Sequence, residues 1–131
     1  MWRRVAGAPV GRLGTVTADG RPHLVPCCFA ADVDRRVVYS AVDGKPKSTR
    51  RLRRLDNLRA HPAASLLVDH YADDWSTLWW VRLDGMGRVV DHADEEARAI
   101  ERLVAKYDQY RCDPPAGPVL ALDVTAWRSW P

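Results

Sequence analysis

Seven of the chain's twenty Lys and Arg residues fall between Lys45 and Arg59, against one of its seventeen Asp and Glu residues. This stretch, Lys45-Pro46-Lys47-Ser48-Thr49-Arg50-Arg51-Leu52-Arg53-Arg54-Leu55-Asp56-Asn57-Leu58-Arg59, carries +6 and leaves −3 for the rest of the chain. Leu52, Leu55 and Leu58 recur every three residues, which predicts a helix with a narrow apolar stripe. Ser48 is placed to cap its first turn, and Lys45 and Lys47 come just before it. Free N–H groups, the positive end of the helix dipole and two ammonium groups make a phosphate site, to which arginines further along add bidentate contacts. Charge alone equally allows a solvated helix with a basic outer face.

Aromatic residues form the second cluster. Trp75, Trp79 and Trp80 lie within six residues, with Tyr71 just before them. On a strand Trp79 and Trp80 face opposite sides, so one fills a core while the other faces outward, toward a partner subunit or a planar ligand. Basic residues and aromatics together also suit single-stranded nucleic acid. Here they lie on separate elements, which fits a phosphorylated ring compound better. Other chemistry has little support. Cys27, Cys28 and Cys112 contain no C-x-x-C, and His23, His61, His70 and His92 are scattered, so neither a disulfide nor a metal site is expected. No serine stands in a G-x-S-x-G context, and the adjacent Asp73 and Asp74 diverge as a solvated loop does. No side chain is assigned a catalytic role; any chemistry belongs to a bound cofactor.

The elements that must position these groups follow from periodicity and turns. Residues 12–17 alternate as a half-buried strand, Asp19-Gly20 marks a hairpin, and 22–30 form the return strand, with Pro26 at an edge or bulge. A turn at 32–35 leads to a strand over 36–42, completing a three-stranded antiparallel meander. The basic helix follows and ends near Pro62. Strands are expected over 64–71 and 78–83, the latter extended to 90 with a bend at Gly85 or Gly87. Residues 94–107 form the clearest helix, with an apolar stripe of Ala97, Ile100, Val104 and Tyr107, and 119–130 the last strand. Hairpins flanked by two helices indicate a small closed or partly closed barrel.

At 131 residues, 47% hydrophobic and 28% charged, the chain reads as one soluble domain spanning 1–131. A net charge of +3 requires neither nucleic acid nor a membrane surface as a partner. No run approaches a membrane span and no signal sequence is evident, so a cytoplasmic location is expected.

The motifs Gly20-Arg21-Pro22-His23-Leu24-Val25-Pro26, Val38-Tyr39-Ser40-Ala41-Val42-Asp43, Lys45-Pro46-Lys47 through Asn57-Leu58, His61-Pro62 and Ser65-Leu66-Leu67-Val68-Asp69 stand in an order and spacing that resemble the pyridoxamine 5′-phosphate oxidase-like split-barrel family. Asp74-Trp75 with Leu78-Trp79-Trp80-Val81-Arg82 is most similar to its branch of coenzyme F420 (deazaflavin)-dependent oxidoreductases. The resemblance covers about 12–130. It implies a mainly β fold, a six-stranded antiparallel split β-barrel of the flavin-reductase/FMN-binding type, paired as a homodimer with two cofactor sites at the interface. It implies hydride transfer between reduced coenzyme F420 and a small organic substrate, with FMN the alternative cofactor; related split barrels bind haem. Carried onto this chain, Lys45, Lys47 and Ser48 hold the cofactor phosphate with Arg54, and more weakly Arg51. Ala41, Val42 and Asp43 run along the ring, Pro26 and its neighbours line the site from the second strand, and Trp79, Trp80 and Arg82 approach from the partner or form the interface. A non-catalytic flavin carrier and a basic nucleic-acid binder remain alternatives.

Overall fold

Turns and apolar alternation cut the chain into short strands, and hydrogen bonding joins seven of them in one antiparallel sheet. The computed structural model describes residues 1–42 and 49–131, the side chains of 49–52 excepted. The strands are β1 (Gly11–Val16), β2 (Pro22–Cys27), β3 (Ala30–Asp32), β4 (Val37–Ala41), β5 (Ala63–His70), β6 (Trp79–Val89) and β7 (Val119–Trp130). Helices α1 (Trp2–Gly7), α2 (Thr49–Ala60), α3 (Ala93–Lys106) and α4 (Asp108–Cys112) flank them. The sheet order is β2-β1-β5-β6-β7-β4-β3.

That order makes closure a matter of chain length. β2 and β3 are opposite edges of the sheet, yet only Cys28 and Phe29 connect them. Seven flat strands would hold their edges about 29 Å apart at ~4.8 Å per step. Three Cα steps reach at most about 11 Å. The sheet must therefore curl until its edges nearly meet, giving the mainly β split barrel expected, with seven strands instead of six. The expected meander does not form. The strand expected over 22–30 breaks at Cys28 and Phe29, β2 pairs only with β1, and β4 pairs with β3 and β7. Pro26, which has no N–H to donate, sits on the edge strand as expected.

Two apolar layers result. Leu13, Val38, Leu66, Leu83, Leu120 and Leu122 fill the barrel, closed by Leu55 and Leu58 of α2 and Val5 of α1. On the other face of β4 and β7, Tyr39, Val119 and Ala121 lie under Ala99 and Leu103 of α3. This explains why all five residues of β4 are buried. The buried stripe of α3 is Ala99 and Leu103, with Ile100 and Tyr107 partly covered, while Ala97 is exposed; the helix is rotated from the expected stripe. Arg88 fastens α3 to the sheet. Its guanidinium reaches Glu95 at 2.6 Å and Asp123 at 2.7 Å, and the Tyr39 hydroxyl donates to Glu95 at 2.8 Å. The expected bend in β6 is a register shift between Asp84 and Gly85, where a Cβ would strike the Asp123 carbonyl.

Candidate functional site

α2 is held by both ends of its inner face. Leu55 and Leu58 are each 4% exposed inside the barrel mouth. Asn57 Nδ2 donates to Thr15 Oγ1 at 3.1 Å, a buried pair across to β1. Leu58 lies where a Cβ on Gly87 would stand, so glycine there lets the helix reach the sheet. Arg54, one turn before Leu58, is thereby carried to the seam between the sheet's edges.

The seam opens as a cleft of about 260 Å³. Pro26 and Cys27 of β2, Cys28, Ser40 and Ala41 of β4, Arg54 of α2, Val10 and Tyr110 of α4 line it. Arg54 Nε is buried and, among the described residues, has no hydrogen-bond partner. A guanidinium N–H taken from water and left without an acceptor is costly, and an anionic ligand supplies that acceptor.

The crossing from β2 to β3 forms the back of the cleft and is tightly held. Ser40 Oγ donates to the Cys28 carbonyl at 2.8 Å. The Phe29 N–H donates to the Tyr107 hydroxyl at 3.0 Å, and that hydroxyl donates to the Pro9 carbonyl at 2.9 Å. Burial pushes the Tyr107 phenol up to about 12, and it stays neutral. Lys106 places Nζ 3.7 Å from the centre of the Phe29 ring, and this buried nitrogen also has no hydrogen-bond partner among the described residues. Burial pulls its pKa down to about 8, opposed by the nearby Cys28 and Cys27. Burial raises the Cys27 thiol.

Of the residues singled out from sequence, Pro26 and Arg54 meet on this cleft. Val42 does not line it: it is 7% exposed within the barrel core, and its N–H donates to the Pro118 carbonyl at 2.9 Å, leaving neighbouring Ala41 on the cleft wall. Trp79 packs against the barrel core with the Arg4 guanidinium 5.2 Å from its ring centre, while Trp80 pairs with Trp130 on the outer face. Neither indole lines the cleft of its own chain. Asp43, Lys45, Lys47 and Ser48, and the side chain of Arg51, lie outside the described residues. Cys27 and Cys28 line it beside Pro26, whereas Ser40, Tyr110 and the nearby Lys106 and Tyr107 were not expected at the site. Lys106 is the basic residue in the last turn of α3, and nothing local to it in the sequence points toward the β2–β3 crossing.

The outer face of the sheet carries exposed large apolar side chains. Strand register places Leu24, Leu67, Trp80 and Trp130 on it, opposite the barrel core. Leu24 is 74% exposed and Trp130 48%. Arg12 pairs there with Asp69 at 2.8 Å and Arg82 with Asp84 at 3.0 Å. Among the described residues no cluster of His, Cys, Asp and Glu is placed to hold a metal, and no helix is long and apolar enough to cross a membrane.

A curled antiparallel sheet with an arginine-lined cleft at its seam defines a split-barrel domain of the flavin-reductase type. The family model described as pyridoxamine 5′-phosphate oxidase matches residues 3–131, and the chain belongs to that family. No curated protein matches the sequence. Among solved structures, a conserved hypothetical protein from Mycobacterium tuberculosis aligns with a TM-score of 0.77 at 21% identity, covering 98% of this chain and 80% of that one. A FAD-binding protein from Mesorhizobium loti aligns at 0.72 and 18% identity, covering 98% and 87%. A heme-binding protein from Mycobacterium smegmatis aligns at 0.76 and 21% identity, covering 97% and 50%. At these identities the likeness is one of fold.

Proposed function

We propose that the chain is a deazaflavin (coenzyme F420)-dependent oxidoreductase, with FMN the alternative cofactor, working as a homodimer. The observation that carries this reading is Arg54: a buried guanidinium nitrogen with no hydrogen-bond partner among the described residues, on a cleft at the barrel seam. It suits the phosphate of a flavin-type cofactor, with Lys45, Lys47 and Ser48 of the preceding segment as further phosphate contacts and Asp43 beside the ring. Pro26 and Ala41 offer short, apolar walls to a planar ring.

The described cleft, at about 260 Å³, falls below the ~300–1,000 Å³ of pockets that enclose a ligand of that size. A second wall is therefore proposed from a second copy of the chain, docked through the Leu24, Leu67, Trp80 and Trp130 face. Trp80 faces the partner directly, and Trp79 backs it from the core side. The cofactor supplies hydride transfer. The protein's own contribution is to anchor the phosphate, orient the ring against a small organic substrate and keep the site poor in water. No proton transfer by a side chain is invoked.

Titrating the protein with coenzyme F420 and with FMN, followed by absorbance and fluorescence, tests this. Binding tighter than ~100 μM, or about −5.5 kcal/mol, is expected for at least one. Failure of both sinks the proposal. Binding without turnover against a broad acceptor panel leaves a carrier in its place, and a Soret band on adding haem favours a haem binder.

A further inference from the structure

Neither Trp79 nor Trp80 lines the cleft of its own chain, and among the described lining residues the one aromatic side chain is Tyr110. Its place follows from a corner in the chain. At Tyr107 the backbone leaves α3 with extended angles, φ −116° and ψ 121°, and α4 starts at the next residue. The Tyr107 hydroxyl pins that corner to the barrel seam: it accepts from the Phe29 N–H at 3.0 Å and donates to the Pro9 carbonyl at 2.9 Å. α4 is fixed to the corner in turn. The Tyr110 N–H donates to the Tyr107 carbonyl at 3.1 Å, and Arg111 donates to the Ala105 carbonyl at 3.3 Å. The two phenol rings meet edge to face, with centres 5.6 Å apart and planes at 77°. Tyr110 also packs on the apolar layer under α3 that contains Ala41, itself a cleft residue. The side chain is half-buried and held from several sides, so it presents a ring to the cleft at little further cost in ordering.

We propose that Tyr110 is the ring-binding residue of the cleft and biases it toward the oxidised form of a planar, electron-poor heteroaromatic ligand. The inference rests on the cofactor-binding reading above and adds to it a contact for the ring, as Arg54 is the contact for the phosphate. The rest of the described lining offers no second aromatic surface; Val10, Pro26 and Ala41 are small or aliphatic. An aromatic pair is worth more than the area it covers, because the electron-rich face of one ring attracts an electron-poor partner. Oxidised isoalloxazine and deazaflavin rings are electron-poor. Reduction by two electrons makes such a ring electron-rich, and its attraction to a phenol weakens. Tyr110 therefore holds the oxidised ring more tightly than the reduced one, and by doing so lowers the reduction potential of the bound cofactor. The cationic Arg54 and Lys106 are the same in every variant at position 110, so the contribution of Tyr110 is read as a difference between chains.

Tyr110→Leu and Tyr110→Phe in the full chain test this, the first keeping only apolar bulk and the second keeping a less electron-rich ring. FMN is titrated in its oxidised form and, without oxygen, after chemical reduction; coenzyme F420 takes its place if the native chain binds that cofactor alone. Tyr110→Leu is expected to weaken binding of the oxidised ring about 2- to 10-fold, the size of one aromatic contact. Binding of the reduced ring should fall by a clearly smaller factor, so the bound cofactor becomes easier to reduce. Tyr110→Phe should keep the oxidised affinity within about twofold and shift the ratio of the two affinities in the same direction by less. Because it removes a single hydroxyl, this variant decides the matter even if the leucine variant folds poorly. Oxidised and reduced affinities that fall by the same factor overturn the inference, since Tyr110 then merely shapes the cleft. Affinities that both stay at the native value overturn it too, since the ring then lies elsewhere. A native chain that binds neither cofactor overturns the proposed function and this inference with it.

Discussion

Two cationic side chains near the seam each hold a buried nitrogen with no hydrogen-bond partner among the described residues, and each gives a distinct prediction. Arg54→Ala should weaken cofactor binding about tenfold or more, as losing a charge-assisted hydrogen bond worth ~1.5–3 kcal/mol requires. The melting temperature should hardly move, because among the described residues Nε has no hydrogen bond to lose; fluorescence titration beside a thermal melt separates the two effects. A large drop in stability with unchanged affinity would make Arg54 a structural residue. Lys106 speaks through pH. Its folded-state pKa, about 8, lies below the 10.5 of an exposed lysine. Between those values the unfolded chain binds the additional proton, so this group makes stability rise with pH, and its cost is fully present below pH 8. Lys106→Met should therefore gain stability over the native chain at pH 7, with the advantage fading as pH approaches 10.5. Cys27, Tyr39 and Tyr107, all raised, pull the other way above pH 9. The difference between the two chains in urea melts at each pH is thus the informative quantity, and a flat difference argues against a buried ammonium.

At the scale of elements, the position of α2 decides where Arg54 stands. Gly87 and Leu58 share a space that admits only one side chain's worth of atoms. Gly87→Ala should overpack this contact and cost about 1–3 kcal/mol. Leu58→Ala should cost about 2–5 kcal/mol through the cavity it leaves. The double variant should lose less than the sum, since the added methyl enters the vacated volume, and a double-mutant cycle in urea reads that coupling. Strict additivity would show that α2 docks independently of β6. The leucine spacing made this helix legible in the sequence, as did the pair of glycines that mark the bend in β6. The broken return strand was not legible. Residues 22–30 are continuously extended in local preference, and the split at Cys28 and Phe29 arises because the chain must leave one edge of the sheet and join the other.

For the whole molecule, the outer sheet face is the feature a single chain leaves unsatisfied. Leu24 is three-quarters exposed over Gly14, and Leu67, Trp80 and Trp130 continue the patch across the sheet. If this is where two copies meet, a Leu24→Lys, Leu67→Lys double variant should be monomeric in light-scattering chromatography and should lose cofactor affinity while keeping its far-ultraviolet spectrum. An assembly state unmoved by two buried lysines would place the interface elsewhere. The Arg88, Glu95, Asp123 and Tyr39 network lies within one chain and should be untouched by the change.

The sequence by itself determined the strand-rich character of the chain, the helix that carries Arg54, the edge position of Pro26 and the opposed faces of Trp79 and Trp80. Each of these follows from spacing, turn chemistry or a missing N–H, which are local properties. Only the tertiary structure decided that β2 and β3 are the two edges of one curled sheet, that Val42 is core while Ala41 is wall, and that Lys106 and Tyr107 meet Phe29 behind the cleft. Those pairings join residues nearly eighty positions apart, as in the Phe29 to Tyr107 hydrogen bond. They arise from closing the sheet, and closure is a property of strand order that no short window of sequence carries.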